Sequence, residues 1–182
     1  MRSSAPAAES AVVLVGPPGA GKSTVGPLLA GLLGVAFTDT DSLVAQAADK
    51  PVSDIFVEDG EAMFRMMERS AVQAALRAPA GVIALGGGAV ADPGSQALLA
   101  GQRVVYLETG FGAVARRTGI DGPHPPIPGN PRGRLRQMLE ERRAQYEGVA
   151  WLTVSTDDKS QQEIAEQIAA AVAREPGPEP LP

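Results

Sequence analysis

The chain has 182 residues, 44% of them hydrophobic but only 4% aromatic, no cysteine and a formal net charge of −5. One α/β domain with a core of Ala, Val, Leu and Ile is expected; disulfides and thiolate metal sites are excluded, and the acidic balance argues against a general nucleic-acid binder. No run is apolar and long enough to span a membrane, and residues 1–10 lack the apolar stretch of a secretory signal, so a cytoplasmic protein is expected.

Residues 1–10 are small and polar and read as a disordered start. Ala11-Val12-Val13-Leu14-Val15 is a β-branched apolar run of the kind found in a buried parallel strand. It leads into Gly16-Pro17-Pro18-Gly19-Ala20-Gly21-Lys22-Ser23-Thr24, which fits the phosphate-loop pattern G-x-x-x-x-G-K-[ST] without a mismatch. Thr24 to Leu33 follows with Leu28, Leu29, Leu32 and Leu33 at helical spacing, closed by Gly34. Strand, glycine loop and helix together are the context the motif needs. Loop amides and the helix N-terminus can cradle a polyphosphate. Lys22 can reach the β- and γ-phosphates, and the Ser23 hydroxyl can ligate Mg²⁺.

Val35 to Thr38 reads as a second strand ending in Asp39-Thr40-Asp41, and extended alternation would put both carboxylates on one face. That strand end is where open α/β sheets bind ligands. Helices are expected over Ser42–Ala48, near Ser53–Phe56 and over Glu61–Leu76. In the last, Met63, Met67, Ala71 and Ala74 recur on one face and read as core packing. Arg65 and Glu68, at i, i+3, can pair, and spacing alone favours a solvated surface pair.

Val82 to Leu85 is a third strand, and it runs into Gly86-Gly87-Gly88, either a plain flexible turn or a place where something approaches the backbone closely. A helix from Asp92 to Leu99, a strand over Gln102–Leu107 and a helix over Phe111–Thr118 follow. Residues 119–131 hold five prolines and three glycines, so they are neither helix nor inner strand, and such long loops are often lids. Arg132 to Tyr146 is a basic helix, Trp151 to Val154 a fifth strand with Trp151 as packing, and Ile164, Ile168 and Val172 stripe the last helix. The segment 175–182 is Pro-rich and acidic and reads as a disordered tail, leaving a single domain over 11–174. Five strands alternating with helices predict a five-stranded parallel sheet with helices on both faces, a P-loop kinase fold with a lid loop.

In combination these motifs resemble the shikimate kinase family over roughly residues 11–172: GPPGAGKST, Asp39-Thr40-Asp41, Asp54-Ile55-Phe56 with Gly60-Glu61 and Phe64-Arg65, Gly86-Gly87-Gly88-Ala89-Val90, and Arg116-Arg117-Thr118-Gly119 before the lid. The resemblance implies an ATP- and Mg²⁺-dependent transfer of the γ-phosphoryl group to the 3-hydroxyl of shikimate, in aromatic amino acid biosynthesis, by an enzyme expected to be a monomer.

It also implies roles. Nucleotide would be held by Gly19, Ala20, Gly21, Lys22, Ser23 and Thr24, with Arg117 against the adenine and Lys159 near it. Ser23 and Asp39 would place the metal ion. Asp41 would contact the substrate hydroxyls and help accept a proton. Arg65, oriented by Glu68, and Arg142 would grip the carboxylate, and Gly86, Gly87 and Gly88 would bring amides to the substrate. Two departures stand out. The family lid reads R-P-L-L where this chain has His124-Pro125-Pro126-Ile127, and Arg142-Arg143-Ala144-Gln145-Tyr146 keeps only the ends of R-x-P-L-Y. A kinase of another small hydroxylated acid or cyclitol, and a low-turnover nucleotide- and metabolite-binding homologue, therefore stay open as alternatives.

Overall fold

In the computed structural model, which describes residues 11–119 and 129–174, five strands form one all-parallel sheet. The strands are β1 (Val12–Val15), β2 (Phe37–Asp39), β3 (Val82–Ala84), β4 (Arg103–Glu108) and β5 (Leu152–Ser155), in the order β2-β3-β1-β4-β5. The register Val13↔Ile83 on one side of β1 and Val13↔Val104 on the other makes β1 the central strand.

Because strand side chains alternate, the sheet has two apolar faces. Val13, Val15, Ile83, Leu85, Val104 and Tyr106 face one buried cluster, which Val72 and Ala75 of α4 (Gly60–Arg77), Leu99 of α5 (Pro93–Leu99) and Tyr146 of α7 (Pro131–Val149) complete. Val12, Leu14, Val82, Val105, Leu107 and Val154 face the other, against Val25 and Leu29 of α1 (Lys22–Leu33) and Ile164 and Ile168 of α8 (Gln161–Arg174). Two smaller helices, α2 (Thr40–Ala48) and α3 (Val52–Glu58), pack on α4 through Val44, Ile55 and Phe64. The short helix α6 (Phe111–Arg117) packs on α7 through Val114 and Leu135.

Two local expectations change. The second strand ends at Asp39 and a helix begins at Thr40, so Asp39 and Asp41 do not share the face of an extended strand. Asp39 instead caps α2: its Oδ1 accepts from the Asp41 amide at 3.0 Å and the Ser42 amide at 3.4 Å, satisfying two donors that a helix start leaves open. The methionine stripe of α4 is only half core: Ala71 is buried and Met67 packs against the cluster of Val44, Ile55 and Phe64, while its other two positions are uncovered. Met63 is 42% exposed and Ala74 is exposed, whereas Phe64, Glu68, Ala71, Val72 and Ala75 are buried. The ends read as disordered and most of the lid, including His124, lie outside the described residues.

Candidate active site

The turns after β1, β2 and β3 converge at the carboxyl ends of the three neighbouring strands. After β1 the phosphate loop curls over the start of α1. Gly21 takes φ 95° as the residue ahead of that helix, a conformation costly for a residue with a Cβ. The Lys22 ammonium folds back beneath the loop and donates to the carbonyls of Gly16 at 2.8 Å and Pro17 at 3.0 Å. Burial lowers its pKa to about 8, against the opposing charges of Asp41 and Asp39.

The Ser23 hydroxyl donates to Asp39 Oδ2 at 2.7 Å, joining the first helical turn after β1 to the end of β2. Among the described residues no cluster of three or more His, Asp or Glu could cage a metal. A hydroxyl beside one carboxylate suits Mg²⁺, which binds through one or two carboxylates, substrate phosphates and water. On the other side of the loop, Arg117 Nη1 donates to the Gly19 carbonyl at 2.7 Å. A cavity of about 350 Å³ lies between Gly19–Thr24 and Arg117, Thr156, Lys159 and Gln161. It combines loop amides, a cation and a broad lining, as a nucleotide requires.

After β3 the three glycines thread between the other groups. A Cβ on Gly86 would stand 2.5 Å from Asp41 Oδ1 and 2.9 Å from Glu68 Oε1. A Cβ on Gly88 would stand 2.6 Å from Arg65 Nη1. The glycines are thus needed for close approach, and the plain-turn reading does not hold. Burial and the neighbouring Asp39 hold the Asp41 carboxyl above the usual carboxylate range, while Lys22 and Arg65 oppose them.

Arg65 Nη1 donates to Glu68 Oε2 at 2.7 Å, and the Glu68 side chain is only 2% exposed, so the surface-pair reading of these two residues is overturned. Glu68 sits on the apolar stripe Phe64–Glu68–Ala71–Val72–Ala75, so α4's packing buries it. Burial raises its pKa and the Arg65 hydrogen bond opposes that rise. Arg142, from α7, donates to the Gly87 carbonyl at 3.3 Å. Arg65 and Arg142 therefore both approach a single peptide unit, Gly87–Gly88. Two guanidiniums that close suit one bidentate anion such as a carboxylate.

The site also uses two residues that lie within the quoted motifs but carry no assigned role there, Thr40 and Tyr146. Thr40, fully buried, accepts the Gly86 amide on its Oγ1 at 3.1 Å, tying the start of α2 to the glycine turn. Its place between two aspartates was the available signal. Tyr146 donates its hydroxyl to the Gly87 carbonyl at 2.6 Å, and its spacing of one helical turn from Arg142 was the signal there. Lys159, although beside Arg117 in the cavity lining, donates to Gln167 at 3.0 Å.

Gly88→Ala is expected to displace the Arg65 guanidinium, because the new methyl would meet its mobile end and not backbone. Affinity for a carboxylate ligand should fall about tenfold, the value of one charge-assisted hydrogen bond, and the melting temperature should fall as well, because the displaced Nη1 is the donor to the buried Glu68 carboxyl. Calorimetric titration of both proteins checks this.

A model of the shikimate kinase family matches residues 18–173. The chain is 53% identical over 157 residues to a shikimate kinase of Thermobifida fusca, covering 86% of this chain and 91% of that protein. It is 47% identical over 161 residues to one of Streptomyces coelicolor, covering 88% and 94%. Among solved structures, the shikimate kinase of Acinetobacter baumannii in complex with shikimate superposes with a TM-score of 0.82 at 34% identity, over 90% of this chain and 92% of that one. Matches of that identity over nearly the full domain, on a site with these groups at these distances, show that the chain belongs to the shikimate kinase family.

Proposed function

We propose that this protein uses ATP and Mg²⁺ to phosphorylate the 3-hydroxyl of shikimate, giving shikimate 3-phosphate and ADP on the route to aromatic amino acids. The observation that carries the proposal is the convergence on the Gly86–Gly88 turn. Asp41, Arg65 and Arg142 all reach it, and a Cβ on Gly87 would stand 3.0 Å from Pro18 of the phosphate loop. A hydroxyl-binding carboxylate, an anion grip and a triphosphate cradle thus share one turn. The relatives above support shikimate over another hydroxylated acid and over a low-turnover binding role.

Within that reading, Arg65 and Arg142 hold the carboxylate of shikimate, and Glu68 fixes the Arg65 fork in plane. Asp41 accepts hydrogen bonds from ring hydroxyls. The 3-hydroxyl oxygen attacks the γ-phosphorus as the bond to the ADP oxygen breaks, and the hydroxyl proton passes to Asp41. An aspartate held above its usual pKa is a better proton acceptor than an exposed one. Lys22 exchanges its two loop carbonyls for the β- and γ-phosphate oxygens and meets the charge that develops there. Ser23 and Asp39 would hold the Mg²⁺ ion, which when bound would neutralise phosphate charge and orient the transferred group. Arg117 and Lys159 flank the base. No described helix is long and apolar enough to cross a membrane.

The Lys22 shift predicts a pH dependence. Its pKa in the nucleotide-free protein is about 8. A bound triphosphate favours the ammonium and raises that value. Binding therefore takes up a proton in the window that opens at about pH 8, where ATP itself is already fully ionised. Affinity is full below that window and falls as pH rises through it, by at most about tenfold per pH unit. Calorimetry at about pH 8.5 in two buffers of different ionisation enthalpy reads the uptake directly. No proton uptake there would contradict Lys22 as the phosphate ligand.

A coupled ADP-release assay over a panel of small hydroxylated acids and cyclitols tests the function. Release should depend on shikimate and be weak with the rest. Preference for another acid, or tight shikimate binding without release, would replace the proposal.

A further inference from the structure

We propose that the Tyr146 hydroxyl is a positioning group for the substrate carboxylate, acting through the Gly87–Gly88 peptide; this rests on the carboxylate grip proposed above. Tyr146 is 1% exposed, with its ring stacked on Tyr106 at a centroid distance of 5.1 Å and 19° between planes. A buried phenol needs a partner, and this one donates to the Gly87 carbonyl at 2.6 Å. Arg142 reaches the same oxygen from the same helix at a longer 3.3 Å. Both approaches to that carbonyl are thus taken from the α7 side.

The described peptide bonds are trans, so the Gly88 N–H points away from that carbonyl. Gly88 is itself packed against the Arg65 guanidinium. In the proposed complex the Tyr146 bond holds the Gly88 amide clear of α7 and open to the anion that Arg65 grips, and the carboxylate gains a backbone donor.

The rest of the turn is pinned by its own bonds. The Gly86 amide goes to Thr40, the Gly86 carbonyl accepts from the Ala89 amide at 3.1 Å, and the Gly88 carbonyl accepts from the Ala91 amide at 3.0 Å. Among the described residues, the Gly87 and Gly88 amides enter none of the turn's hydrogen bonds. The Gly87–Gly88 unit is then the one most able to rotate, since consecutive glycines resist rotation least. A flipped peptide would offer its oxygen to Arg65 and repel an incoming carboxylate. Arg142 alone does not prevent this, because in the proposed complex it turns to the carboxylate and leaves Tyr146 as the carbonyl's donor. Burial pushes the Tyr146 pKa up to about 12, so it stays a donor throughout the working range.

Tyr146→Phe keeps the ring stack and removes the hydroxyl. The KM for shikimate should rise about 3- to 10-fold, the range for loss of one hydrogen bond, with kcat, the KM for ATP and the melting temperature near the parent's. With an analogue in which hydroxymethyl replaces the carboxylate, parent and variant should show the same kcat/KM. An unchanged KM for shikimate, or an equal loss on both substrates, overturns the proposal. Should the variant not fold, ¹⁵N-glycine spectra of the parent decide. The Gly88 amide resonance should move with shikimate and stay with the analogue, and a resonance that ignores both overturns the proposal. A parent that releases no ADP with shikimate overturns the functional reading and this inference with it; an active parent with an unaltered variant overturns this inference alone.

Discussion

Lys22→Ala is expected to lower kcat about 10²- to 10³-fold, the cost of removing one preorganised donor from developing phosphoryl charge. The fold should survive. In the parent, the ammonium is held where burial lowers its pKa from 10.5 to about 8. Between those two values the unfolded chain keeps the proton and the native protein loses it, so native stability rises with pH across that window. Below it, the buried charge costs stability that alanine would not. The variant loses the bonds to the Gly16 and Pro17 carbonyls, but it also sheds that cost, so its melting temperature should stay near the parent's at neutral pH. ATP affinity should fall less than kcat, because the loop amides remain. Steady-state kinetics and a thermal melt on the same preparation check this, and an unchanged kcat would remove Lys22 from the mechanism.

Arg65→Ala should raise the KM for shikimate by about 10- to 100-fold, as expected for losing hydrogen bonds between charged partners, and leave the KM for ATP close to the parent's. Here stability should suffer too. The Glu68 side chain is 2% exposed and Arg65 is its ion-pair partner, so truncation leaves a buried carboxyl without its cation. The loss is of order 1–3 kcal/mol, at the low end because the Arg65 side chain is itself 26% exposed. Glu68 is already raised by burial and would rise further without the guanidinium. A raised carboxyl destabilises the native state above its pKa, so the variant should regain stability as the pH is lowered, before general acid unfolding. Arg65→Lys should restore part of the stability but little of the affinity, because an ammonium cannot span a carboxylate as a fork does. Loss of ATP binding with shikimate binding kept would mean that Arg65 serves the nucleotide.

What could be read in the sequence was local. The phosphate loop is a contiguous pattern with its strand and helix alongside, and the strand-helix alternation sets the parallel sheet. The resemblance supplied most of the site residues by number. What escaped was decided by packing across distant segments. Glu68 looked like half of a surface pair because i, i+3 spacing says nothing about which face of a helix is covered; the stripe from Phe64 to Ala75 does. The methionine stripe runs half off the covered face for the same reason: Met67 and Ala71 pack, Met63 and Ala74 do not. Asp39 was read as strand, yet its side chain competes for helix-start amides, which ends the strand and turns Asp41 into the first turn of α2. Thr40 and Tyr146 each join the glycine turn from 46 and 59 residues away; their local spacing to Asp39, Asp41 and Arg142 flags them but does not specify those contacts. The glycine triplet itself was ambiguous until Asp41, Pro18 and Arg65 were seen against its three α-carbons.

The central claim is that one turn holds the shikimate carboxylate and aims its 3-hydroxyl at the phosphate loop. Its most direct test is the identity of the product. The protein is incubated with ATP, Mg²⁺ and shikimate, and the mixture is followed by ³¹P NMR with proton coupling. A single new phosphomonoester signal coupled to the proton on carbon 3 of the ring is expected, growing in step with ADP. Inorganic phosphate in place of the ester, or an ester on another ring hydroxyl, would contradict it.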